Sequence, residues 1–202
     1  MEQTMTTRIA ESEARFRADP AAAQTAPSVT ATLVNGHARL SSGPFNWEAD
    51  LGPAVGGENL APSPTAYLLG ALAACGVAFM RDTLAPQFGV TLEDITATAS
   101  CRADLAGLLG IPDTTPALEG IALSLLIASS DPSERIDAMV AAWRERCPIY
   151  LALINTNAVE FEATVQTLSN TGRTEPHEHR SSDPHDRPCG QHRNHPVGTG
   201  SR

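Results

Sequence analysis

The 202 residues suit one domain with tails, or at most two small domains. Hydrophobic residues make up 42% of the chain but aromatics only 4%, so a core must be built mainly from Ala, Leu, Val and Ile. Twenty-three acidic residues against 14 arginines, with no lysine, give a net charge of -9, which excludes a basic patch and so nucleic acid as an expected partner.

The opening Met1–Arg8 carries neither an apolar run nor a small-residue cleavage site, so no secretory signal is expected. Cysteines 75, 101, 147 and 189 form no close pair and no C-x-x-C. A secreted disulfide framework or a zinc ribbon would be patterned differently. The expectation is a soluble, cytoplasmic protein in a reducing compartment, with no metal, no cofactor and no membrane partner.

In chain order, residues 6–18 read as a short helix with Ile9 and Phe16 on one side, ended by Asp19-Pro20, and residues 21–28 as a linker. Val29–Asn35 alternates apolar residues with threonine, a strand with one buried face. Asn35-Gly36 predicts a two-residue hairpin into Ala38–Ser42. Gly43-Pro44 turns the chain again into Phe45–Leu51, where Phe45, Trp47 and Ala49 share a face. A glycine- and proline-rich loop, residues 52–62, leads into the next element and is a candidate site wall.

Ser63-Pro64 has the form of an N-cap followed by an N1 proline. From Tyr67 to Met80 every residue is apolar or small, which predicts a buried helix; these 14 residues fall short of the roughly 20 a bilayer needs. It should run to about Leu84, stopped by Pro86 and Gly89. Leu68, Leu72, Cys75 and Phe79 share one stripe, while Gly70 and Gly76 allow close approach of another element. Val90–Leu105 and Leu118–Ala128 read as strands flanking a loop at 106–117, with Cys101 on the inward face. Asp131-Pro-Ser-Glu134 spells a capping box before a helix marked by Ile136, Met139, Val140 and Trp143. Cys147-Pro148 places Cys147 at the N-cap of a short helix ending at Ile154, and Val159–Val165 reads as a closing strand. The segment 169–202 has almost no aliphatic residues and holds five of the six histidines, the composition of a disordered tail. The domain proper is therefore expected at 29–168.

Taken alone, Cys75 is accounted for as a small buried hydrophobe. Cys147 stands where the first amides of a helix point at its sulfur, with Arg144 and Arg146 near in sequence, and both effects favour the thiolate. Two thiols on different helices suggest a dithiol that cycles through a disulfide, one attacking an oxidant and the other resolving the sulfenic acid.

Together, the three-strand opening, Gly-Gly-Glu-Asn-Leu-Ala-Pro-Ser-Pro, Leu-Leu-Gly-Ala-Leu-Ala-Ala-Cys75 and Arg-Cys147-Pro resemble the OsmC/Ohr family over about Val29–Val165. The resemblance implies an α+β fold with antiparallel sheets around a long central cysteine-bearing helix, intertwined as a homodimer. It implies a thiol peroxidase that reduces organic hydroperoxides in oxidative-stress defence, with a dithiol reductant of lipoyl type as partner. Carried over by motif, Cys75 is the peroxidatic cysteine and Cys147 the resolving one. Arg39 stands for the family's opening-sheet arginine; Glu58, Thr65 and Tyr67 are the substrate-binding candidates. Where the family's peroxidases carry a carboxylate at the helix start, this chain reads Pro64-Thr65-Ala66. Glu58 or Asp50 could supply the acid instead. The other reading is a family member without peroxidase activity, a dimer that binds a small apolar ligand or senses redox state.

Overall fold

The structure, a computed structural model, describes residues 4–155 and 158–166. The expected tail at 169–202 lies outside the described residues, Cys189 and its five histidines with it.

Helix α1 spans Met5–Ala18 and starts where the Thr4 hydroxyl accepts the Thr7 amide at 3.3 Å. None of its residues is buried. The expected linker opens with a short 3-10 turn, Pro20–Ala23, because Asp19 accepts the Ala21 amide at 3.1 Å and Pro20 brings a preset φ.

Strands β1 (Thr30–Val34), β2 (His37–Ser42) and β3 (Phe45–Ala49) form the antiparallel meander that the turns foretell. Asn35 and Gly36 both have positive φ (51° and 88°), as a hairpin turn of matching twist requires. The second turn fixes the register Arg39↔Glu48 and Leu40↔Trp47. Only Ala49 of this sheet is buried, and Leu33 (82% exposed) and Phe45 (70%) face solvent. The shared inward face expected for Phe45, Trp47 and Ala49 therefore fails at Phe45, which is left exposed.

Helix α2 (Pro64–Phe79) begins as its sequence dictates, with the Ser63 hydroxyl accepting the Ala66 amide at 3.2 Å. A π-turn (Met80–Leu84) and one further turn, α3 (Ala85–Phe88), continue it. Pro86 does not stop it. The π-turn restarts the ladder, so Pro86 falls in the first turn of α3, where its missing amide costs no bond. Gly89, at φ 60°, ends the run. Residues Pro64–Phe88 are thus a continuous 25-residue helix, long and apolar enough, by length and composition only, to cross a membrane. Within it, however, Leu72, Gly76, Met80, Leu84 and Ala85 are buried against the rest of the chain, and Arg81 and Asp82 pair at 2.7 Å. The opposite side, including Leu68 at 37% exposure, is uncovered, so α2 is buried on one face rather than all round.

Strands β4 (Asp94–Arg102) and β5 (Glu119–Ala128) pair antiparallel with an irregularity between Ser100 and Arg102. Their alternation holds, and Ile95, Ala97, Ala99 and Cys101 form the less exposed face of β4. Gly76 lets β4 and β5 approach closely, since a Cβ would lie 3.1 Å from Leu125 Cδ2 and 3.3 Å from the Ala97 Cβ and those side chains would have to give; no such neighbour stands at Gly70. The connection between the strands contains a single turn, α4 (Leu105–Leu108), capped by Asp104 on the Ala106 amide at 2.9 Å, where the sequence reading expects only loop.

Helix α5 spans Ser133–Arg146 and α6 spans Pro148–Ile154. The capping box does not form: Pro132 is the N-cap. Asp131 instead accepts the Thr91 amide at 2.6 Å and the Arg135 guanidinium at 3.0 Å, tying α5 to the start of the β4 arm. The core joins Leu72, Met80, Leu84, Val90, Met139, Trp143 and Cys147, with β4, β5 and α6 packed against it. Residues 158–166 form no strand: Val159, Phe161 and Val165 alternate as a strand would but are 87–90% exposed, with no strand partner among the described residues. The described fold is mixed α+β, with two small antiparallel sheets.

Candidate functional site

Cys75 lies near the middle of α2 and Cys147 at the junction of α5 and α6. Their sulfurs are 2.7 Å apart and both are thiols. A sulfur–sulfur bond is about 2.05 Å, so only a small approach separates the pair from a disulfide. The sequence places both cysteines on helices; the fold brings them together.

Cys147 has no exposed surface, and as N-cap of α6 its sulfur accepts the Tyr150 amide at 3.4 Å. Its own amide donates to Trp143 O at 2.8 Å, the last turn of α5. Cys75 is partly exposed and takes a backbone hydrogen bond from Ile149. The first amides of α6 thus reach both sulfurs. Burial, then the neighbouring Cys147 sulfur through its hydrogen bond and charge, push the Cys75 thiol up to about 12, and the Ile149 amide opposes this. A thiol raised this far keeps its proton at neutral pH. Trp143, only 2% exposed, donates its indole N–H to the Cys75 carbonyl at 3.1 Å, and its ring centroid lies 5.4 Å from that of Tyr150.

The other predicted residues gather elsewhere. Arg39 Nη2 approaches Glu48 Oε1 at 3.3 Å across the β2–β3 pair, and His37 Nε2 lies 3.5 Å from Glu48 Oε2. These partners, Arg39 first, hold the Glu48 carboxyl below the usual range. The Tyr67 hydroxyl donates to the Glu48 carbonyl, tying the start of α2 to β3. Arg39, Glu48 and Tyr67 line a cleft of about 680 Å³ with Asn46, Trp47 and Leu60; Glu58 and Thr65 are not part of its lining. Tyr67 stands eight residues and Thr65 ten residues before Cys75, roughly 12 and 15 Å along the helix axis. Within one chain the arginine cleft and the thiols are therefore separate.

Asp50 clamps the loop that follows β3. It accepts the amides of Leu51 (2.7 Å), Glu58 (3.0 Å) and Leu60 (3.0 Å), and these bonds, that of Leu60 foremost, hold it below the ordinary aspartate value. Sequence reasoning missed Glu48 and Trp143. Glu48 was recoverable, because the Gly43-Pro44 turn already sets it opposite Arg39. Trp143 was visible only as a core residue; no spacing signals which carbonyl its indole meets.

The profile of the OsmC-like protein family matches residues 56–163, more than half of the chain. The chain belongs to the OsmC-like family. No curated protein matches it. Among solved structures it is similar to an OsmC-like protein of Mycoplasma pneumoniae, at 22% identity and TM-score 0.54, covering 64% of this chain and 88% of that one. It is also similar to an organic hydroperoxide resistance protein of Legionella pneumophila, at 24% identity and TM-score 0.48, covering 64% and 90%. The α+β architecture of this OsmC-like chain agrees with the first of these likenesses, which carries the fold and not the chemistry.

Proposed function

We propose that this OsmC-like protein is a thiol peroxidase of oxidative-stress defence that reduces organic hydroperoxides through Cys75 and Cys147. The observation that carries this reading is the pair of thiols at 2.7 Å under the first amides of α6. Cys75, the more exposed sulfur, attacks as thiolate on the distal oxygen of the hydroperoxide. An S–O bond forms, the O–O bond breaks, and the alkoxide leaves as alcohol with a proton. Cys147 then attacks the Cys75 sulfenic acid, forming the S–S bond and releasing water. A small dithiol, lipoyl-type or other, returns both sulfurs to thiols in the cytoplasm.

A thiol raised to about 12 is a poor nucleophile at neutral pH, so the resting chain lacks an activator. The cleft that holds the Arg39–Glu48 pair lies too far along the molecule to serve its own Cys75. A homodimer, with the uncovered sides of α2 and the opening sheet as its interface, supplies both the missing cover and an arginine from the second copy. Glu48, already paired with Arg39, takes the role of the carboxylate absent at Pro64-Thr65-Ala66. The substrate contacts expected of Tyr67 and Thr65 then belong to a site that two chains share.

The test is one equivalent of cumene hydroperoxide added to fully reduced protein, with thiol loss followed and products mapped by peptide mass spectrometry. Rapid formation of a Cys75–Cys147 disulfide is expected. Oxidation confined to Cys101 or Cys189, or none at all, would sink the peroxidase reading. The second reading, a dimer that binds a small apolar ligand or senses redox state, is favoured by the missing helix-start acid and the raised Cys75 thiol. It expects slow oxidation in a well-formed dimer.

A further inference from the structure

Trp143 touches both redox segments, and the two-thiol scheme above gives it no part. An indole nitrogen is a donor only, and at 2% exposure it must find a protein acceptor. The one it meets is the carbonyl of Cys75 itself, at 3.1 Å. A carbonyl inside a helix has a second lone pair beyond the one serving the ladder, so this bond adds to α2 without breaking it. The same residue's carbonyl accepts the Cys147 amide at 2.8 Å, and its ring packs against Tyr150, whose amide reaches the Cys147 sulfur. One side chain and one peptide unit thereby tie the backbone of each cysteine to the other.

We propose that Trp143 is a positioning residue for the dithiol, clamping the Cys75 turn of α2 to the Cys147 cap so that the sulfurs remain within closing distance once Cys75 is oxidised. The inference rests on the dithiol reading and concerns its second step. In the first step the peroxide comes to Cys75 from outside, and the distance to Cys147 is immaterial. In the second, the Cys147 sulfur displaces hydroxide from the Cys75 sulfenic acid, the S–S bond forming as S–O breaks and water leaving with a proton. Only this step needs the two helices held together. The π-turn that starts five residues after Cys75 leaves α2 with a less regular ladder on that side, so a fixed point at Cys75 is the more useful.

The test uses the full-length protein with Trp143→Phe, which keeps an aromatic ring and deletes the N–H. After rapid mixing with one equivalent of cumene hydroperoxide, Cys75 sulfenic acid is trapped with dimedone and the disulfide is quantified by mass spectrometry. The dithiol–disulfide equilibrium is measured against dithiothreitol. Sulfenic acid should form at the wild-type rate, while disulfide closure slows and the equilibrium moves toward the dithiol, each by about tenfold, the worth of one buried hydrogen bond. Closure and equilibrium within twofold of wild type would overturn the inference, as would equal slowing of both steps, which marks a merely structural role. Should Trp143→Phe fail to fold, biosynthetic replacement of tryptophan by benzothienylalanine in a Trp47→Phe background keeps the volume and removes only the N–H. If the wild type itself forms no Cys75–Cys147 disulfide, the dithiol reading has failed, a result distinct from an unaltered Trp143→Phe.

Discussion

The redox core and the opening sheet are built to opposite standards. Around Cys75 and Cys147 the chain is self-sufficient: Met80, Leu84, Met139 and Cys147 have no exposed surface, and amides of α6 reach both sulfurs. The β1–β3 sheet buries only Ala49 and leaves Leu33 and Phe45 in water. Its polar residues are nonetheless well ordered, with Glu48 between Arg39 and His37 and Asp50 holding three amides. One chain therefore makes its own pair of thiols but keeps Arg39 apart from them. Exposed apolar patches on a folded unit mark interaction surfaces, and on the proposed dimer reading the contrast assigns the second copy to the opening sheet.

The contrast breaks most sharply at the sulfur. Cys75→Ser should reduce hydroperoxide consumption by at least about 10³-fold in stopped-flow assays, because a hydroxyl does not replace a thiolate as nucleophile. Cys147→Ser should keep the first turnover and accumulate sulfenic acid. Next comes Arg39→Gln, expected to lower kcat/KM by about 10²-fold, the usual effect of losing one preorganised electrostatic donor. If the site is shared between chains, mixing Arg39→Gln with Cys75→Ser should restore part of the activity; no recovery would place each site within a single chain. Leu33→Glu with Phe45→Glu should leave the circular dichroism of the core intact and shift the protein to monomer in sedimentation. A dimer that persists would remove the opening sheet from the interface.

A smaller effect sharpens the electrostatics. The folded Cys75 thiol lies above its ordinary value of 9.0, so its contribution to stability is complete below pH 9 and is lost as pH rises toward about 12. Alkylation of Cys75 by iodoacetamide should accordingly keep accelerating above pH 9. In Cys147→Ser the second and third causes of the shift vanish, and the alkylation profile should move to lower pH. It should stay above 9, because burial is the largest cause. An unchanged profile would show that the neighbouring sulfur contributes nothing.

Much of the fold was legible because it rests on short-range chemistry. Ser63-Pro64, Asn35-Gly36, the alternation of β4 and the N-cap at Cys147 each act within a few residues, and each is found where the sequence predicts it. The failures lie where a distant partner decides. Asp131 has the spacing of a capping residue but is drawn to the Thr91 amide 40 positions away. Pro86 reads as a stop, yet the π-turn before it changes what its missing amide means. For the candidate site, the residue types were readable and their grouping was not. The meeting of Cys75 with Cys147, 72 positions apart, and of Trp143 with the Cys75 carbonyl, 68 apart, depends on how α5 crosses α2.

The π-turn at Met80–Leu84 also decides how Pro86 is accommodated. A π-turn holds one residue more than an α-turn, with the Ala85 amide bonded five residues back to Met80 O, so one residue taken out of Arg81-Asp82-Thr83 would restore a continuous α-helix with α3 close to its present phase. Ala85 would stay over Met80, but Pro86 would stand inside an unbroken ladder, where a proline costs about 3 kcal/mol or more. The extra residue at this turn is thus the room that Pro86 needs: a single deletion there would set a proline against the ladder at the end of the cysteine helix.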